Sequence, residues 1–214
     1  MTEIQNSIDK KLIAGLPQIS FYGDIKVIDT LQAAEEAVAE LSAESVVGFD
    51  TETKPSFKKG VNNKVALLQF STLHCAYLFR LNLIGIPQCL AGFLANPDIR
   101  KIGLSIKDDF NMLSGRSEVR PQGFVELQEF VPSFGIQEKG LQRIYALLFG
   151  RRISKTQQLS NWEADSLTAA QQQYASIDAW ACLEIYRYLS ELKRKGNYQI
   201  IKKYAAEESL AEKR

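Results

Sequence analysis

The sequence predicts an α/β fold: a mixed β-sheet of three antiparallel strands followed by β-α units, with helices on both faces. Three observations carry this. Residues 46–53, VVGFDTET, are a β-branched run of strand type. The apolar runs VALLQFST and AYLFRL lie only a few residues apart, the pattern of a hairpin. After Pro87 the chain breaks into short alternating helix and strand units.

In chain order, residues 8–14 read as a short helix closed by Gly15 and Pro17, and residues 19–28 as extended chain broken at Gly23 and Asp24. Asp29 then serves as N-cap to LQAAEEAVAEL, where Leu31, Ala34, Val38 and Leu41 form one amphipathic stripe. The strand at 46–53 and the hairpin are separated by KPSFKKGVNNK, a turn-rich basic loop. Next come a helix over 87–95, a strand over 100–103, a helix over 105–114 and a strand over 123–127, with mostly helix beyond. The organisation expected is a helical N-terminal extension (1–18), one main domain (19–204) and a charged tail (205–214).

Composition narrows the chemistry. With 26 Lys+Arg against 25 Asp+Glu and a net charge of +1, the chain does not capture polyanions wholesale, so any such site is a local basic patch. The cysteines Cys75, Cys89 and Cys182 have no metal-binding or disulfide spacing and fit a reducing compartment. His74 is the single histidine, which removes most histidine-dependent catalysis. The N-terminal segment lacks the apolar core of a signal peptide, and no apolar run approaches the ~18 residues of a bilayer span. A cytoplasmic protein without membrane contact is expected, with its chemistry resting on carboxylates.

Three places offer them. Asp50 and Glu52 alternate onto one strand face about 7 Å apart, close enough to share a metal ion or to hold two neighbouring ones. Two solvated acids at a strand end would look the same, since about three acid-x-acid triplets arise by chance in such a chain. In KIGLSIKDDFNML, Ile106, Phe110 and Leu113 form the buried stripe of a helix; at ~100° per residue Asp109 lies beside it and Asp108 points away. A rim acid paired with a lysine is the competing reading of Asp109. In QQQYASIDAWACLEIYRYL, Tyr174 and Asp178 are four apart and share a helix face, as would a core tyrosine bonded to a nearby acid.

Taken in order, these motifs resemble the DEDD superfamily of 3′–5′ exonucleases, which includes the proofreading domains of bacterial DNA polymerases. FDTET matches its first motif, KIGLSIKDDFNML its second and YASID its third in the tyrosine form; the histidine form would need a histidine where Gln173 stands. VALLQFS and LQRIYALLFGRRISKTQQLSNWEADSLTAAQQQYAS narrow the resemblance to the ribonuclease D and Werner-type exonuclease group, over roughly residues 19–192. It implies a ribonuclease H-like sheet and release of nucleoside 5′-monophosphates from 3′ ends.

The resemblance also implies two divalent cations, Mg²⁺ or Mn²⁺, which suit oxygen-only ligands. Asp50, Glu52 and Asp178 would hold the nucleophile-side ion, with Asp50 shared and Asp109 supporting the second through water. Tyr174 would orient the attacking water, because a phenol with a pKa near 10 is a poor base. Glu126, in FVELQ, would support the site from outside. The Thr51 and Glu52 amides would lie beside the 3′-terminal sugar, and Lys54, Lys58, Lys59 and Lys64 would meet phosphates or simply be solvated. Phe57 and Phe110 could stack on bases, although Phe110 suits the core better; His74, Cys75, Trp162 and Trp180 read as structural. The expected partner is a single-stranded 3′ end of DNA or RNA. A protein partner could supply targeting, because the helical domains that follow the core in ribonuclease D are not present in this sequence. A catalytically idle nucleic-acid-binding or protein-interaction module on the same fold is the alternative; it is disfavoured because every ligand position is filled. A non-nucleolytic enzyme with scattered acids does not explain the ordered set.

Overall fold

The run VVGFDTET forms the strand around which the molecule is organised. In the computed structural model, which describes residues 1–56, 63–113, 115–116 and 119–202, the chain opens with β1 (Thr2–Gln5), α1 (Lys10–Ile13), β2 (Asp24–Ile28) and α2 (Leu31–Leu41). It continues through β3 (Val46–Thr53), β4 (Val65–Ser71), β5 (Cys75–Arg80), α3 (Leu81–Ile84) and α4 (Gln88–Ala95). Then follow β6 (Arg100–Gly103), α5 (Ile106–Leu113), β7 (Phe124–Glu126), α6 (Leu127–Phe130), α7 (Leu141–Phe149), α8 (Ala169–Lys195) and β8 (Tyr198–Ile201).

Six strands form one mixed sheet in the order β2-β5-β4-β3-β6-β7. β3, β4 and β5 are antiparallel neighbours, the expected hairpin included. β6 and β7 extend the sheet in parallel from β3, and β2 adds a parallel edge beside β5. β4 is buried at every position, which explains an apolar run without alternation: helices cover both of its faces. On one face Val47, Phe49, Leu68 and Phe70 pack with Ala34 and Leu41 of α2, Leu90 and Phe93 of α4, and Ile106 and Leu113 of α5. On the other, α7 and α8 join a second cluster through Ile144, Tyr145, Ile177, Ala181 and Ile185. Each fully buried Phe or Leu contributes roughly 1.5–3 kcal/mol.

Several local expectations change. The N-cap of α2 is Thr30 rather than Asp29: Thr30 is extended, at φ −127°, and its hydroxyl accepts the Ala33 amide at 3.2 Å. The buried stripe of α2 is Ala34, Ala37 and Leu41, while Leu31 stands 60% exposed in the first turn. The end of the chain is not continuous helix. Gly196, in the left-handed region at φ 62°, stops α8, and the following YQII forms β8. β8 pairs in parallel with β1, from Thr2 opposite Tyr198 to Gln5 opposite Ile201, and Ile4 enters the core. The expected N-terminal extension thus begins with a strand. The tail at 205–214 lies outside the described residues. Among the described residues no helix is long and apolar enough to cross a membrane.

Candidate active site

Because side chains alternate along a strand, Asp50 and Glu52 leave β3 on the face that α8 covers. α8 approaches that face at Gly48, where a Cβ would lie 1.8 Å from the backbone oxygen of Ala179. Glycine alone permits this contact, and the residue before Ala179 is Asp178. The consequence is a convergence: Asp50, Glu52 and Asp178 each present a carboxylate oxygen, and the three atoms lie within 4.8 Å of one another. Tyr174, one turn earlier on α8, donates its hydroxyl to Asp178, and its ring packs 6.0 Å from that of Trp162. Trp162 is fully buried and Trp180 packs against Phe21 and Tyr145, so both tryptophans are packing residues. Gln173 braces the helix, its side-chain amide bonding both the N–H and the C=O of Phe21 at 3.0 Å.

Asp109 reaches the site from α5. It is buried while Asp108 is exposed, as the helical phase requires, and it accepts the Thr51 hydroxyl. It stands beside the three-carboxylate cluster rather than inside it. α5 itself is aimed by Glu126 at the end of β7, whose carboxylate accepts the amides of Ser105 at 3.0 Å and Ile106 at 2.8 Å. An acid at a helix N-terminus meets unpaired donors and the positive end of the macrodipole. Phe110 is half-buried, with its ring centroid 4.8 Å from that of Phe124, and belongs to the core.

Burial and mutual repulsion dominate the electrostatics. Burial and then Asp178 hold Asp50 far above the usual carboxylate range, opposed only by a bond from the Thr51 backbone. Burial, Asp50, Asp178 and Asp109 push Glu52 up to about 10. Asp109 rises to about 8 through burial and then Asp50. Asp178 rises to about 7 through burial, against the opposing pull of Tyr174 and Lys155. Burial first, and then Asp178 and Glu52, drive the Tyr174 phenol well above its ordinary value. Four crowded acids ionise together only with a counter-charge. A hard divalent cation fits this donor set of oxygens alone.

A cleft of about 360 Å³ opens over the cluster, and it contains residues the sequence reading did not single out, notably Arg143, Lys155 and Gln158. Arg143 is clamped by Glu138 and donates to the Ile8 carbonyl at 3.1 Å. The charge of Lys155 acts on Asp178. Of the loop lysines, Lys54 pairs with Glu163 at 3.3 Å and Lys64 is exposed, whereas Phe57, Lys58 and Lys59 lie outside the described residues. Thr51 lines the cleft with Asp50 and Glu52.

Comparison with known proteins bears on the family and the fold. A family model described as 3′–5′ exonuclease matches residues 25–193. The bifunctional 3′–5′ exonuclease/ATP-dependent helicase WRN of Mus musculus is 31% identical over 98% of this chain, which spans 16% of that protein. A 3′–5′ exonuclease of Arabidopsis thaliana is 31% identical over 78% of this chain and 58% of its own length. Among solved structures, the Aedes aegypti Nibbler EXO domain superposes with a TM-score of 0.73 at 21% identity, covering 85% of this chain and 95% of that one. Escherichia coli RNase D superposes with a TM-score of 0.69 at 21% identity, covering 81% of this chain and 46% of that one. The sheet order, the ribonuclease H-like neighbours and the match across most of the chain lead to one assignment: this chain belongs to the 3′–5′ exonuclease family.

Proposed function

We propose that the chain is a metal-dependent 3′–5′ exonuclease of the tyrosine type, hydrolysing phosphodiesters from single-stranded 3′ ends of DNA or RNA and releasing nucleoside 5′-monophosphates. The observation that carries this reading is the convergence of Asp50, Glu52 and Asp178 at the floor of an open cleft. Asp50, Glu52 and Asp178, with Asp109 alongside, would hold two divalent cations, Mg²⁺ or Mn²⁺. When bound, these supply nucleophile activation and charge neutralisation at the scissile phosphate.

The residues divide the remaining work. Thr51 fixes the rotamer of Asp109 through its hydroxyl and steadies Asp50 through its backbone amide. Tyr174 keeps its proton, donates to Asp178 and orients the attacking water; burial disfavours its phenolate, so at neutral pH no phenolate is available to act as a base. Lys155 and Arg143 bring positive charge to the cleft, suited to sequence-independent contact with the sugar–phosphate backbone. A Trypanosoma brucei RNase D of similar fold was solved in complex with RNA U12, which supports a nucleic-acid substrate for this chain.

The test is digestion of 5′-end-labelled single-stranded DNA and RNA with Mg²⁺, with Mn²⁺ and with EDTA. Stepwise shortening from a free 3′-hydroxyl, with 5′-monophosphates released and EDTA abolishing activity, is expected. Activity that survives EDTA, or equal cutting of a 3′-phosphate-blocked strand, would overturn the proposal. Binding without degradation under both cations would favour the idle module.

A further inference from the structure

β4 runs antiparallel to β3 with Gln69 directly opposite Asp50. Opposed residues of such a pair project to the same face with Cβ atoms roughly 4.5–5.5 Å apart, so Gln69 shares the face of Asp50 and Glu52 beneath α8. It lies within an apolar run where Leu67, Leu68 and Phe70 are all buried, and it is itself fully buried. Neither Nε2 nor Oε1 of Gln69 has a hydrogen-bond partner among the described residues. Ser71, two residues on and on the same face, is equally buried yet donates to the Thr72 carbonyl at 2.7 Å. A buried amide with both ends unpaired carries a desolvation penalty that an apolar side chain of similar volume avoids. Packing therefore does not explain why a glutamine stands beside Asp50.

We propose that Gln69 is a positioning residue for Asp50: its side-chain N–H, unpaired in this structure, donates to the Asp50 carboxylate once a cation is bound and fixes the orientation in which that carboxylate ligates it. This role rests on Asp50 serving as a cation ligand. Carboxylate ligands depend on outer hydrogen-bond partners for their orientation and affinity. Asp109 has the Thr51 hydroxyl and Asp178 has Tyr174, whereas the bond acting on Asp50 comes from the Thr51 backbone. Gln69 supplies a side-chain donor from the neighbouring strand. An amide suits the position because it donates without adding charge. A carboxylate there would add to the repulsion, and a lysine would compete with the cation.

The test reads cation affinity without turnover, by titrating wild-type protein with Mn²⁺ and following free Mn²⁺ by electron paramagnetic resonance. Thermal midpoints are measured in EDTA alongside. Gln69→Leu and Gln69→Met are expected to raise the Mn²⁺ dissociation constant roughly 10–100-fold, with the cation-free midpoint unchanged or higher because an unpaired amide has been removed. Ser71→Ala, a control in the same layer, should leave the constant within about twofold. Wild-type affinity in both Gln69 variants would overturn the proposal. So would a fall in their cation-free midpoint with affinity lost in proportion, which marks a purely structural role. A wild-type chain that binds no Mn²⁺, or an Asp50→Asn variant that binds it equally well, would sink the cation reading and this inference with it. Intact wild-type binding, lost in Asp50→Asn but retained in the Gln69 variants, would overturn the positioning role alone.

Discussion

Asp108 and Asp109 are consecutive in the chain, yet one is exposed and the other is buried beside Thr51 at 7% exposure. Asp109→Asn is therefore expected to lower the exonuclease rate by about 10²–10⁴, the usual scale for loss of an essential positioned group. Asp108→Asn should change the rate less than about twofold. Initial rates on end-labelled single strands decide the matter, and equal losses would break the assignment. Tyr174→Phe removes the donor to Asp178 and should cut turnover by a similar ~10²–10⁴. A rising limb of activity above pH 10 that is indifferent to the cation would instead make the phenol a base. The phase of Asp109 was legible because ~100° per residue places it beside Ile106 and Leu113. Gln69, Arg143 and Lys155 were not, for physical reasons. A glutamine inside an apolar run leaves no periodic trace, and cations in or beside loops look solvated until the fold brings Asp178 or Glu138 to them.

At the scale of elements, the meeting of α8 and β3 decides whether a cluster exists at all. Gly48→Ala would set a methyl against the Ala179 backbone, which has no rotamer through which to yield. The expected cost is ~1–3 kcal/mol, a fall of several degrees in thermal midpoint, with weaker Mn²⁺ binding because Asp178 moves with α8. Calorimetry together with a Mn²⁺ titration checks this, and an unchanged midpoint would contradict the contact. β3, β6 and the β4–β5 hairpin were readable from the sequence because their runs are apolar and bounded by turns. β1 and β8 were not: TEIQ has a single apolar residue, and neither strand has meaning without a partner at the far end of the chain. The cap of α5 was hidden in the same way, since Glu126 reaches Ser105 and Ile106 across some twenty residues of chain.

For the molecule as a whole, the crowded acids tie stability to pH and to cations. Asp109 and Asp178 rise to about 8 and about 7 in the folded chain, against an unfolded value near 4. Between those limits the folded state holds protons that the unfolded state releases. Their stabilising contribution is thus complete below about pH 4 and is lost as pH rises towards about 8. Lys101, drawn down to about 8 by burial, has the opposite sign but acts only above that window. In EDTA the thermal midpoint should fall from about pH 5 to about pH 8, and saturating Mn²⁺ should flatten the trend; a midpoint that rose with pH in EDTA would contradict the repulsion described. The parallel pairing of β1 with β8 has a consequence in time as well as in space. It joins the second residue of the chain to one nearly two hundred positions later, so it requires the longest loop closure in the sheet pairings. β1 precedes every other described strand in the chain, yet it must be the last to find its partner. Pulse-labelled amide exchange should find residues 2–5 protected only after those of β3, β4 and β5. Because Ile8, just beyond β1, anchors Arg143 at the edge of the cleft, a nascent chain would assemble its carboxylates first and acquire the wall around them last.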